Sequence, residues 1–145
     1  KGDPWGATTP PVAKILTNKF EKHFKTKRVK VGNQTFVIDL MSENGNIAVK
    51  IINESGITSQ GTIPSAKFQG IIWSLLVLTS LTFRRKLVIF TNQRMYEEFI
   101  RSITKMPGLV PNTTQGIEVA VIPLHDEGFF ENPKMQWQGE IRRIK

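Results

Sequence analysis

Asp39 and Lys50 are the residues of this chain best placed to do chemistry. They stand within TFVIDLMSENGNIAVKII (35–52), two strand-like apolar runs separated by Asn44-Gly45. That pair favours the positive φ angles of a type I′ hairpin. With those two residues as turn centre, Asp39 faces Lys50 and Met41 faces Ala48. Side chains alternate along a strand, so Phe36, Ile38 and Leu40 share one face, with Val37, Asp39 and Met41 on the other. On the second strand Ala48 and Lys50 lie together, opposite Val49 and Ile51. A carboxylate and an ammonium among apolar neighbours sit where desolvating charge is unfavourable. Two readings follow: a cross-strand salt bridge on a solvated sheet face, common and weak, or a site at which the pair meets a substrate. Other chemistries are thinly supplied. The chain has no cysteine, hence no disulfide, thiolate zinc site, iron–sulfur cluster or cysteine nucleophile. His23 and His125 are its only histidines. His23, beside Phe24 and several lysines, reads as a surface residue rather than a metal ligand. No Ser-His-Asp arrangement can be argued, and GxGxxG, P-loop and HExxH motifs are absent.

The elements that must position the pair can be read in order. Residues 1–9 form an arm with Trp5 as its one large apolar group, docked on the body or stacking on a base. Thr8, Thr9 and the two prolines open a helix, and Val12, Ile15, Leu16, Phe20 and Phe24 give it an apolar stripe to about Thr26. Its other side carries Lys14, Lys19, Lys22 and Lys25. Lys27–Gly32 is a first strand, turning at Gly32-Asn33 into the hairpin. After Ile52 a polar loop, 53–62, leaves the strand that carries Lys50, a usual place for a substrate-facing loop. Pro64 to about Phe83 is a second helix, apolar nearly all round but shorter than a membrane span and broken by Ser74, Thr79 and Ser80. Its basic end, Arg84-Arg85-Lys86, suits a helix C-terminus. Leu87–Thr91 is an interior strand. Asn92 caps a helix over 93–105 with Tyr96, Phe99, Ile100 and Ile103 inward, and Gly116–Leu124 is a last strand. The expected fold is a single α/β (α+β) domain with a central mixed sheet flanked by helices, in the order α-β-β-β-α-β-α-β. Residues 10–124 form the body and 125–145 a C-terminal tail.

The 145 residues suffice for one core, and 39% hydrophobic with 22% charged residues describes a globular chain rather than a disordered one. Twenty Lys and Arg against 12 Asp and Glu leave a net charge of +8, which suits a polyanionic partner, most simply nucleic acid. Lys19, Lys22, Lys25, Lys27, Arg28 and Lys67 are the expected phosphate contacts. With a polar start, Lys1–Pro11, and no spanning segment, the expectation is an intracellular protein with no membrane partner.

The element order, with Asp39 on the second strand and Lys50 on the third, resembles the PD-(D/E)XK nuclease superfamily over about residues 10–124. Asp39 matches its first acid and Lys50 its lysine. Glu21 matches a further acid that some members carry on the first helix. Gln69, in Gln69-Gly70-Ile71-Ile72-Trp73, is similar to the start of the Gln-x-x-x-Tyr motif of the RecB-like and lambda-exonuclease-like branch, with Trp73 in place of the tyrosine. Ala48 departs from the pattern. It stands two residues before Lys50, where the second metal-binding carboxylate belongs.

The resemblance implies a metal-dependent nuclease hydrolysing DNA, with Mg²⁺ or Mn²⁺ as cofactor in an active form and Asp39 as metal ligand. Hard carboxylate oxygens would hold the ion, which polarises the phosphate and activates a water. Lys50 would serve that water and offset charge in the transition state, and Gln69 would hold water or phosphate. Members often act as dimers, so a homodimer is compatible. With Ala48 one ligand is missing, by engineered replacement, by natural loss, or with its place taken by a carboxylate from elsewhere such as Glu21 or Glu43, and the expected metal affinity and rate of this chain fall heavily. The alternative is a catalytically silent nuclease-like domain that binds nucleic acid or serves as an assembly subunit.

Overall fold

The computed structural model describes residues 4–53, 56–105, 116–124, 137 and 139–144, with side chains from residue 9 onward. The side chain of Trp5, and all of His125, fall outside these described residues. The elements are α1 (Pro4–Phe20), β1 (Phe24–Val31), β2 (Gln34–Ser42), β3 (Ile47–Ile52), α2 (Ser65–Ser80), β4 (Arg85–Phe90), α3 (Gln93–Thr104), β5 (Ile117–Val121) and β6 (Arg142–Arg143). The strands form one mixed sheet in sequential order, β1 to β6. β1, β2 and β3 are antiparallel neighbours, β3, β4 and β5 run parallel, and β6 returns antiparallel to β5. The fold is therefore mixed α/β, as the order of elements led one to expect. No helix among the described residues is long and apolar enough to cross a membrane.

Two parallel crossovers, β3-α2-β4 and β4-α3-β5, advance the same way along the sheet, so a common hand sends both helices to one face. There Ile71, Leu75 and Leu78 of α2 and Met95, Phe99 and Ile103 of α3 close over Ile38, Ala48, Ile52, Val88, Phe90 and Val119. On the opposite face Val12, Ile15 and Leu16 of α1 close over Leu40, Val49, Ile51, Leu87 and Ile89. β4 lies between β3 and β5 under helices on both faces, and its last four residues are buried, as its apolar run predicts. α3 starts where the expected cap stands: Asn92 accepts the Met95 N–H at 2.8 Å. Of the basic cluster read as the end of α2, Lys86 Nζ does donate to the Thr79 carbonyl, but Arg85 and Lys86 belong to β4 and Arg85 pairs with Glu118.

Four features differ from expectation. α1 begins at Pro4, with Pro10 and Pro11 inside it rather than in its first turn. The prolines remove two donors, so the segment ahead of them holds on fewer intrahelical bonds. α1 also ends at Phe20, not near Thr26. Glu21 takes a left-handed backbone (φ 56°), which an L-residue helix cannot continue. The Phe20–Phe24 spacing that reads as a helical stripe is a real contact, with ring centroids 6.1 Å apart, but it joins a helix end to a strand start. α2 packs on one side only, leaving Trp73 and Leu76 exposed. The expected tail supplies a sixth strand: Arg142 and Arg143 pair with Val119 and Glu118, and Trp137 Nε1 donates to the Val121 carbonyl at 2.9 Å.

Candidate functional site

The hairpin pairs Leu40 with Val49 and Met41 with Ala48, the register expected from Asn44-Gly45. Its turn is built differently. Gly45 N–H donates to the Ser42 carbonyl, so Glu43 and Asn44 are the central residues. Of these turn residues only Gly45 has positive φ, which rules out type I′. Asn44 Oδ1 accepts from Asn46 N–H and lies 2.7 Å from Ser42 Oγ, and Ser42 Oγ accepts from Ile47 N–H. Lengthening the loop by one residue on each side leaves every opposed pair unchanged, so the register survives the wrong turn.

Beyond Leu40 and Val49 the β2–β3 ladder stops. On its other edge β2 carries one extra residue against β1: Lys25 pairs with Met41 but Lys27 with Ile38, leaving Asp39 and Leu40 opposite Thr26. The bulge breaks the simple alternation. Ile38 lies under α2 and α3 while Leu40 lies under α1, so the expected common face of Phe36, Ile38 and Leu40 does not hold. Thr26 Oγ1 donates to the Asp39 carbonyl at 2.9 Å within this irregularity.

Asp39 fills the place where the ladder ends. Its Oδ2 accepts the Ile51 N–H at 2.7 Å and lies 3.5 Å from Lys50 Nζ. With the residue only 7% exposed, burial is the dominant influence and raises the Asp39 pKa; the Ile51 N–H and the Lys50 charge pull the other way without cancelling it. The pair thus joins a buried carboxylate to a partly exposed ammonium at a strand opening, rather than two solvated side chains on a sheet face. Lys50 projects to the α2 side, where it lines two adjoining grooves. The wider, about 450 Å³, is bounded by Asn53, Lys67, Gly70, Ile71 and Ser74. The narrower, about 110 Å³, is bounded by Phe36, Val37, Ile38, Trp73, Val77 and Leu78. A Cβ on Gly56 would meet the Lys67 ammonium, so a side chain there would have to displace Lys67.

The other predicted residues divide by face. Lys25 and Lys27 pair with Met41 and Ile38, which puts them on the α2 side with Lys50 and Lys67. Arg28 pairs with Val37 and points to the other side. Lys19, on α1, lies 5.4 Å from the centroid of the Trp137 ring and belongs to the far face. Lys22 sits in the α1–β1 turn, so the expected basic helix face is divided among helix, turn and strand. Glu21 is exposed in that same turn, not on the helix. Gln69 is exposed one turn ahead of Trp73 and lines neither groove. Ala48 is fully buried on the face shared with Lys50, between Met41 and Lys86. Asn53, Ser74 and Phe36 were not singled out from sequence. Only the polar loop after Ile52 signalled the first of them.

These residues do not fit a divalent cation. Mg²⁺ asks for near-octahedral oxygen ligands, usually including one or two carboxylates. Asp39 is a single carboxylate already engaged by an amide and an ammonium, and position 48 offers a methyl group. Among the described residues no group of three or more His, Cys, Asp or Glu gathers anywhere. No protein-family model matches the chain, and neither a curated protein nor a solved structure matches it.

Proposed function

We propose that this chain is a nuclease-like domain of the PD-(D/E)XK type that binds DNA and, with Ala48, does not cut it. The observation that carries the reading is the Asp39–Lys50 pair at the opening between β2 and β3, on the side of the sheet that also carries Lys25, Lys27 and Lys67. An acid and a lysine at a strand opening are what the resemblance requires of a phosphodiester site. Four lysines on one side suit a polyanion, and the +8 net charge agrees. Loss of one carboxylate removes the ion and with it the hydrolysis, while the phosphate-attracting lysines remain. Mg²⁺ or Mn²⁺ enters this reading only for a form with an acid at position 48. Binding of labelled DNA across a salt series tests it. Each lysine that contacts phosphate should contribute a slope of about 0.7–0.9 in log affinity against log salt. Lys25→Gln with Lys27→Gln should weaken binding and flatten that slope. Salt-insensitive binding, or none, counts against the reading.

A further inference from the structure

Trp73 is 57% exposed although it stands on α2 beside the grooves that flank Lys50. Its ring centroid lies 6.2 Å from that of Phe36 at an interplanar angle of 49°, so the sheet braces it from one side and leaves the rest open. Leu76, one turn further along α2, is also exposed, at 39%, which extends the apolar surface beside the indole. A charged strip adjoins it. Lys50 lines both the narrow groove under Trp73 and the wider one that holds Lys67 and Asn53. Among the described residues lining these two grooves there is no Asp or Glu, and Asp39, which offsets part of the Lys50 charge, is itself buried. Apolar walls with an aromatic lip, continuous with a cationic channel, form the combination that single strands use: bases stack on aromatic faces while the backbone follows positive charge.

We propose that Trp73 is a stacking platform for an unpaired base of single-stranded DNA, with the strand's backbone running past Lys50 and Lys67. The inference rests on the nucleic-acid reading of the Asp39–Lys50 site and adds the form of the substrate. A duplex hides both faces of each base inside its stack, so an exposed indole has nothing to engage except at an unpaired position. The narrow groove, about 110 Å³, falls well below the roughly 300 Å³ at which drug-sized ligand pockets begin, so it takes one ring at most. The wider groove takes the sugar and phosphate. Lys25 and Lys27, on the same side of the sheet, continue the path along β1. Charge complementarity selects nucleic acid over an apolar protein segment as the occupant.

The test compares a labelled oligothymidylate of about 16 nucleotides, the upper end of single-strand site sizes, with a duplex of similar length. The parent chain should bind the single strand more tightly. Trp73→Ala should lose about 5- to 150-fold on the single strand, the range measured for removal of one stacking side chain. Its salt slope should stay unchanged, because no phosphate contact is removed. Trp73→Phe should retain most of the affinity. An unchanged unfolding midpoint for Trp73→Ala, expected of so exposed a side chain, ties the loss to contact rather than folding. Tighter binding of the duplex, or equal binding by Trp73→Ala and parent, overturns this inference and leaves the proposed function standing. In the second case the patch is free for a protein partner. No binding of either DNA by the parent overturns both.

Discussion

Replacing Asp39 by Ala and by Asn separates what its carboxylate does by shape from what it does by charge. Both changes remove the charge beside Lys50. Only Asn keeps an oxygen for the Ile51 N–H, which Asp39 Oδ2 accepts at 2.7 Å. That amide is buried at the end of a ladder, and no β2 residue pairs with Ile51 in its place. Leaving such a donor without an acceptor costs about 1–3 kcal/mol. Near this chain length each kcal/mol moves the melting temperature by about 2–4 °C, so Asp39→Ala should melt about 2–12 °C below Asp39→Asn. The charge shows itself in the pH profile. Burial raises the Asp39 pKa above 3.8, so the folded chain holds that proton more tightly than the unfolded chain does. The contribution to stability is then largest below the unfolded value and is lost as pH rises through the folded one. Wild type should lose stability relative to Asp39→Asn as pH climbs from about 4 towards neutrality. Thermal melts of the three proteins across that range decide it. Equal melting of the Ala and Asn variants would refute the hydrogen-bond assignment. A wild-type advantage that grows with pH would mean that Lys50 and Ile51 outweigh burial, and the electrostatic reasoning would be wrong.

Two further perturbations probe the frame that holds the pair. Asn92→Ala should cost about 0.5–2 kcal/mol in urea unfolding, because the Met95 N–H loses its cap, while Asn92→Asp should cost much less. Gly45→Ala should destabilise by about 1–2 kcal/mol, since Gly45 has φ 76° and space is not the obstacle there. A neutral result would mean that the hairpin tolerates a different turn.

The fold was legible wherever a pattern had one cause. LVIF can be little other than an interior strand, and Asn92 before an amphipathic run is a cap. The hairpin register was legible because the two turn constructions open to it share the same pairing. Legibility failed where two causes leave one trace. Phe20 and Phe24 are four apart because their rings touch, and a helix produces the same spacing without Glu21's left-handed break. The bulge at Asp39 leaves no mark, because adding one residue to an apolar strand changes only which apolar face each side chain meets. Asp39, Lys50 and Lys67 could be picked out from residue type. That Lys25 and Lys27 join them while Lys19 and Arg28 do not depends on pairing across the sheet. Gln69 resembles a motif by spacing, but one position of helical rotation directs Gly70, not Gln69, to the groove. Trp73 was visible only as a substitution, since exposure is a property of packing.

The most direct measurement of the central claim is Mn²⁺ binding by Ala48→Glu, with Ala48→Asp as a shorter acid and Asp39→Ala added to each. Position 48 is enclosed between Met41 and Lys86, so a circular-dichroism melt accompanies every variant. The parent chain should bind no Mn²⁺ and cut no DNA. An acid at position 48 creates Mn²⁺ binding and DNA cleavage, and both disappear with Asp39→Ala. If folded variants with an acid at 48 neither bind the ion nor cut, Asp39 and Lys50 are a structural ion pair, and the nuclease-like reading is wrong.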